Sequence, residues 1–485
     1  MIKFCSYLYN YVRLIYSVNN YVRQYNITGK HDVSLVDNII SRVKRCGAVT
    51  IKFMQWVCPK LEIMCLEEEN ILKDVKPLWL LKLESFYENC DDHSIKYTLS
   101  HYKEIFNNNF NDDYEIVDII GSGSIGQVYL IQDKPLTLHS VKQKYVMKIL
   151  HPNVNYEIWF FRQFYRLIIC LPGFKKTLHD YFPFDINNFI DQFNEQSDFI
   201  NESNHLLQFG EHYKNNDFII IPELIKTSKS IMIMSYEEGE SFDELDIDQY
   251  NKYKIALLLI SFTKNNQHIL NNHHGDLHKG NWKVMKGDDN EYKLVIYDFG
   301  FCWKVPNHKK GGIDKLTKIF EESDENPESI NMEDMVDVLM YLLLYDMNDQ
   351  LIIRDTIRMY LKNNISAIRP WVLNPTRLFK IIVDLCVTED LLIDPVLIQS
   401  VILLIQCQKI FEEFRMLGTD KEEIESYEVF RSKYLDFLAF YKTYDIFSEL
   451  SGLFSEILTE KQTEINNIFD CIEMPEHIRL LALNK

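Results

Sequence analysis

The stretch "HHGDLHKGNWKV", residues 273–284, sets Asp276, Lys279 and Asn281 among three histidines. Farther on, "YDFG" places Asp298 22 residues beyond Asp276. An aspartate, an asparagine five residues later and a second aspartate after a strand are the groups that phosphoryl transfer needs. The first accepts or orients the acceptor proton, and the other two offer oxygens to a magnesium ion on nucleotide phosphates. Magnesium takes hard oxygen ligands and few protein groups, which suits Asn281 and Asp298. A zinc site built on His274 and His278 is the alternative, since i, i+4 histidines suit a helix. Gly275 and Gly280 argue for a loop there, so the histidines are read as scaffold, with His274 bracing the loop.

Two upstream segments complete the set. "GSGSIGQVY" holds Gly121, Gly123 and Gly126 in the pattern G-x-G-x-x-G, with Ser122 and Ser124 between them and Val128 beyond. That pattern alone also fits a plain hairpin. Here a strand follows it and no helix does, which is the arrangement of a loop lying over phosphates. Bare glycine lets backbone N–H groups approach an anion closely. Lys148 in "KYVMKIL" comes 22 residues after Gly126. A lysine inside an apolar strand costs desolvation unless it is paired or meets a phosphate. Glu202 in "SDFINESNHLLQF" is the expected partner, 54 residues on, so helical material must intervene.

The elements that would carry these residues follow from periodicity. Residues 1–110 read as helix, with an apolar residue every three or four positions in "VSLVDNIISRVKRCGAVTIKFMQWV". "YEIVDII", "GQVYLIQ" and "KYVMKIL" predict three antiparallel strands. A helical stretch over about 154–213 follows, then strand-like "DFIIIPEL" and "SIMIMSY". "NWKVM" and "KLVIYDF" predict a hairpin, and the chain from about 330 reads as helix. The expected fold is α+β and two-lobed, with a helical N-terminal extension (1–110), a β-rich lobe with a helical insert (111–240) and a helical lobe (241–485).

Bulk properties narrow the partners. The 485 residues exceed one compact core. A net charge of −19 without a long basic run speaks against nucleic acid. Ten irregularly spaced cysteines without a Cys-x-x-Cys pair read as reduced thiols of an intracellular compartment. No apolar run reaches about 18 residues, the usual membrane span. "VLIQSVILLIQCQKIF", residues 396–411, reads as a buried helix. The first 30 residues, with four basic and no acidic side chains, read as an amphipathic helix pair in preference to a mitochondrial presequence.

In this order, "GAVTIKFMQW", "IIGSGSIGQVY", "VMKILHPNV", "SDFINESNHLLQF", "IMSYEEGESFD", "HHGDLHKGNW" and "LVIYDFG" resemble the UbiB, or AarF-domain, family of atypical kinases over residues 45–305. The resemblance implies a protein-kinase-like fold whose extension packs over the active site, and it implies ATP and Mg2+ as cofactors. It further implies ATPase or small-molecule kinase activity, and a link to isoprenoid lipids such as coenzyme Q through peripheral membrane contact. It makes Lys148 the ATP lysine, Glu202 its partner, Asp276 the catalytic aspartate and Asn281 and Asp298 the metal ligands. Met234 and Tyr236 become nucleotide contacts. Lys52 and Gln55 match the family's Lys-x-Gly-Gln signature, but Met54 replaces its glycine, and Gln196 stands where a glutamate partner for Lys52 is expected. The loop reads His-Gly-Asp, not His-Arg-Asp, and no Ala-Pro-Glu follows "DFG". A peptide-docking activation segment is therefore not expected.

Overall fold

The computed structural model describes residues 2–65, 77–86, 92–134, 142–247 save 215 and 217, single positions between 255 and 263, and 265–287. It further describes 292–312, 315–316, 331–368 and 375–403. The helices are α1 (Ile2–Thr28), α2 (Val33–Cys46), α3 (Ala48–Cys65), α4 (Leu78–Leu83), α5 (Ile95–Phe106), α6 (Phe110–Asp113), α7 (Val154–Ile169), α8 (Phe174–Tyr181), α9 (Ile186–Gln196), α10 (Phe199–Tyr213), α11 (Met332–Leu342), α12 (Gln350–Ile368) and α13 (Pro375–Glu389). The strands are β1 (Tyr114–Ser122), β2 (Gly126–Asp133), β3 (Lys144–Leu150), β4 (Ile219–Ile220), β5 (Leu224–Thr227), β6 (Ile231–Ser235), β7 (His273–His274), β8 (Trp282–Lys286), β9 (Tyr292–Ile296), β10 (Cys302–Trp303), β11 (Leu343–Leu344) and β12 (Leu392–Ile393). Two compact units emerge. The first comprises residues 1–178, 186–203 and 223–236, and the second 179–185, 204–222 and 237–485.

In the first unit the helical extension has its own core. Asp32 caps α2 by accepting from the amides of Ser34 and Leu35, and Gly47 ends it. Val36, Ile40 and Val43 of α2 pack with Cys58 of α3 and with Trp79, Leu80 and Leu83 of α4. Met54 packs against this cluster. The expected helix pair at the N-terminus is a single helix, α1, because no Gly or Pro interrupts residues 2–28.

A five-stranded sheet follows in the order β1-β2-β3-β6-β5. The period-2 pleat divides its side chains between two faces. Tyr129, Ile131, Met147, Ile149, Ile231 and Ile233 turn to one side and bury against Tyr102 of α5 and Phe110 of α6. Val128, Lys148 and Met232 stand side by side on the other face, in line with Val146 and Met234. The interval between Lys148 and Glu202 is filled by α7, α8 and α9, as the spacing required.

In the second unit β9 is the centre of a three-stranded sheet, parallel to β4 and antiparallel to β8. "DFIIIPEL", read as one strand, is in fact two. Ile219–Ile220 joins β9, while Leu224–Thr227 forms the edge of the five-stranded sheet after the break at Pro222. β7 pairs with β10. Helix α11 buries Val336, Leu339 and Leu342, and Arg354 and Arg358 of α12 reach Glu333 of α11 at 3.1 and 2.7 Å. Lys309 is buried, donating to Leu343 O at 2.7 Å and to Asp394 Oδ2 at 3.1 Å. Its partner's other oxygen accepts from the amides of Val396 and Leu397. The predicted helix at 396–411 falls beyond the described residues from 404 on, as does the rest of the C-terminal stretch expected to be helical. Among the described residues no helix is long and apolar enough to cross a membrane.

Candidate active site

In the first unit the glycine-rich segment is the turn between β1 and β2, closed by Gly123 N donating to Gly126 O at 2.9 Å. Gly126 has no room for a side chain, since a Cβ would lie 2.5 Å from Ile149 O. Ser124 is buried and its Oγ donates to Oε1 of Gln55 at 3.3 Å. The amide of Gln55 in turn donates to Phe86 O at 2.7 Å. A helix of the extension therefore holds the turn directly, a contact the sequence reading did not locate. Lys52 lies half-buried on α3 and Gln196 ends α9.

Lys148 and Glu202 form an ion pair, with 13% and 3% of their side chains exposed. Phe199 of α10 lies below the ammonium, its ring centroid 5.9 Å away. A lysine so placed has its rotamer fixed, and a charge-assisted bond is its reason for tolerating burial. Val128, Lys148 and Met234 share a sheet face, joined by Met232 and Val146, which the sequence reading missed. Their signal lay in the strand register, which one sequence does not give. Tyr236 follows β6 and its amide donates to Lys144 O at 3.4 Å.

In the second unit His274 ends β7 and is buried. Its Nδ1 accepts from Asp276 N at 3.3 Å, so its Nε2 carries the proton and donates to Tyr297 O at 3.2 Å. Burial holds its pKa below the ordinary value, against the opposing pull of the Tyr297 carbonyl and the Asp276 and Asp298 carboxylates. A neutral imidazole with both nitrogens engaged is a brace and no zinc ligand. His278 caps the turn Lys279–Asn281 by accepting from Gly280 N, and its Nε2 lies 3.8 Å from Asp276 Oδ1. Gly275 packs where a Cβ would come within 2.2 Å of the Trp303 ring.

Asn281 is buried, and its Nδ2 donates to Asp276 O at 2.7 Å. That bond fixes the amide, so Oδ1 is the atom it can offer to a cation. Its own carbonyl accepts from Tyr297 N at 2.8 Å, which joins the asparagine turn to the residue before Asp298. Asp298 has φ +56°, a left-handed conformation uncommon for any residue with a side chain. Gly300 N donates to its Oδ1 at 3.2 Å. Phe299 anchors the bend. Its ring packs on Phe209 at 4.9 Å and on His274 at 5.3 Å, and its carbonyl accepts from His205. The second unit thus bonds Asn281 to Asp276 directly and to the residue before Asp298 through its carbonyl, as the first brings together Lys148 and Glu202.

The chain is similar to several known proteins. Residues 88–328 match the model of the ABC1 atypical kinase-like domain. A curated relative, "Probable serine/threonine-protein kinase abkC" of Dictyostelium discoideum, is 26% identical over 266 residues, covering 53% of this chain. The match spans only 36% of the relative's length. Two solved structures are distantly similar. The Rv3197–erythromycin complex of Mycobacterium tuberculosis is 18% identical with a TM-score of 0.36, covering 48% of this chain and 60% of its own. The Rio2 kinase complex with ADP/Mg2+ and phosphoaspartate from Chaetomium thermophilum is 12% identical with a TM-score of 0.28, covering 67% and 96%. Neither is near enough for a residue to be transferred. The domain match and the motif order point the same way: residues 88–328 are an ABC1 atypical kinase-like domain, with an α+β kinase-like fold.

Proposed function

We propose that this protein binds ATP with Mg2+ and transfers a phosphoryl group to water or to a small-molecule or lipid-linked acceptor. The observation that carries the reading is the Asn281–Asp298 arrangement. Two hard-oxygen donors sit on turns joined by one backbone bond, with the amide nitrogen already committed to the Asp276 carbonyl. This donor set suits magnesium, which would neutralise charge on the phosphates. Lys148, steadied by Glu202, binds phosphate oxygens. The backbone amides of the turn from Gly121 to Gly126 receive them, and Val128, Met234 and Tyr236 contact the nucleotide. Asp276 takes the proton of the attacking hydroxyl. The lack of an Ala-Pro-Glu triplet after "DFG" favours a small acceptor over a docked peptide. Isoprenoid lipid at a membrane surface is the acceptor class that the family resemblance suggests.

The test is ADP production with ATP and Mg2+, wild type beside Asp298→Asn, with and without isoprenoid-lipid vesicles. Asparagine tolerates a left-handed φ, so the backbone is preserved while the charge is lost. Turnover that disappears in the variant supports the reading, and stimulation by vesicles supports the lipid role. Magnesium-dependent ATP binding without ADP would make the protein a nucleotide-binding scaffold and refute phosphoryl transfer.

A further inference from the structure

The outer side of the glycine-rich turn is held by a directed chain of hydrogen bonds. His151, three residues after Lys148, places its Nε2 3.0 Å from Gly123 O. Its Nδ1 lies 2.8 Å from Nδ1 of His93. The other nitrogen of His93 lies 3.0 Å from Oγ1 of Thr98, which is 2.7 Å from the Tyr129 hydroxyl. His93 is fixed in place by its own amide, which donates to Gln127 Oε1 at 2.9 Å.

The direction of every bond follows from one fixed end. A carbonyl only accepts, so His151 Nε2 must carry a proton. In a neutral ring its Nδ1 is then an acceptor, and His93 Nδ1 must donate to it. His93 Nε2 is left as an acceptor for the Thr98 hydroxyl, which accepts in turn from Tyr129. Both rings are held neutral by burial, which pushes His93 down to about 4 and His151 below its ordinary value. Asp92 opposes that shift at both rings, and His101 and His151 add to it at His93. The chain runs from β2, through the N-terminus of α5, to the carbonyl of the residue that closes the turn. Beside it lies a cavity of about 440 Å3, bordered by His93, His151, Ser124, Lys44 and Glu157.

We propose that His151, oriented by His93, is a positioning residue that fixes the glycine-rich turn for the nucleotide phosphates. This rests on the nucleotide-binding reading above. It predicts a loss in ground-state nucleotide affinity and little change in turnover, because the turn holds phosphates before and during transfer alike.

The experiment measures the Kd for ATP with Mg2+ on the full chain, and KM and kcat where ADP forms. His151→Ala should weaken ATP binding roughly 3- to 10-fold, the range for losing one neutral hydrogen bond. His93→Leu should do the same without touching the turn. His151→Gln, whose amide offers a donor and an acceptor as the neutral ring does, should recover most of the affinity. Free imidazole, small enough for the neighbouring cavity, should restore His151→Ala and leave wild type unaffected. A side chain that only stabilised the fold would give no imidazole rescue and would lower kcat as the folded fraction fell. If wild type binds ATP with Mg2+ while both variants stay within twofold of it, or if neither imidazole nor glutamine restores binding, the positioning role is refuted alone. If wild type binds no ATP, the nucleotide-binding reading fails and the inference with it.

Discussion

One side chain, Asn281, is assigned two separable duties, and two substitutions tell them apart. Its Nδ2 supplies the donor for Asp276 O at 2.7 Å, and its Oδ1 is the proposed magnesium ligand. Leucine removes both. The Asp276 carbonyl then loses its donor in a partly buried setting, a cost of about 1–3 kcal/mol, nearer the lower figure where water can enter. Losing a metal oxygen as well should raise the Mg2+ concentration for half-maximal ATP binding by at least roughly 10-fold, since merely disturbing a ligand's support costs about 10- to 100-fold. Aspartate keeps an oxygen for the cation but turns an acceptor toward the Asp276 carbonyl. It should lose similar stability and keep the magnesium requirement at or below that of wild type. The assay is thermal unfolding without metal, followed by a Mg2+ titration of ATP binding for all three proteins. At about 2–4 °C per kcal/mol for a domain of 150–250 residues, the first readout is measurable. If Asn281→Leu shows an unchanged magnesium requirement, Asn281 is not a ligand. If Asn281→Asp shows no loss of stability, the bond to Asp276 does not hold the loop.

Other perturbations probe the supports. Lys309→Met removes the cation from a buried pair and should destabilise the second unit by roughly 3–5 kcal/mol, seen as faster amide exchange around Leu343 and Asp394. Burial lowers the Lys309 pKa despite Asp394, so between its folded pKa and 10.5 the unfolded chain binds more protons. The stability gap between wild type and Lys309→Met should therefore widen as pH rises through that window; a gap that narrows would refute the assigned shift. Gly275→Ala forces a methyl against Trp303 and Phe301, costing about 1–3 kcal/mol, and should impair ATP turnover by shifting Asp276. An unchanged thermal midpoint and rate would show that the aromatic rings yield. Gln55→Ala releases Ser124 from α3 and should change ATP affinity by a factor of several; equal affinity would remove the extension from any control of the glycine-rich turn.

What the sequence made legible was local or strongly patterned. Motif order, the strand–turn–strand setting of Gly121–Gly126, the hairpin before Asp298 and the scaffold role of His274 all follow from spacing and turn chemistry. Contacts decided by tertiary packing did not. The bond from Ser124 to Gln55 joins residues 69 apart, and neither type announces it. Met232 became a neighbour of Lys148 only when the register of β3 against β6 was known. "DFIIIPEL" misled because a continuous apolar run looks the same whether one sheet or two receive it. The left-handed φ of Asp298 is equally silent, since packing of Phe299 and a turn bond impose it on a residue that would otherwise avoid it.

The pairing of β3 with β6 also sets a timetable for synthesis. Leu150 and Ser235, the ends of those strands, are 85 residues apart. At about 5–20 residues per second, ~4–17 s pass between the emergence of one strand and its partner. For that interval a nascent β1-β2-β3 ribbon has an open edge of apolar residues and backbone groups, a template for joining other chains. The helices from α7 through α10 emerge in the same interval. Yield in the cell should therefore depend on chaperone supply during translation more than on the stability of the finished protein, and slowing the ribosome across residues 150–235 should lower it.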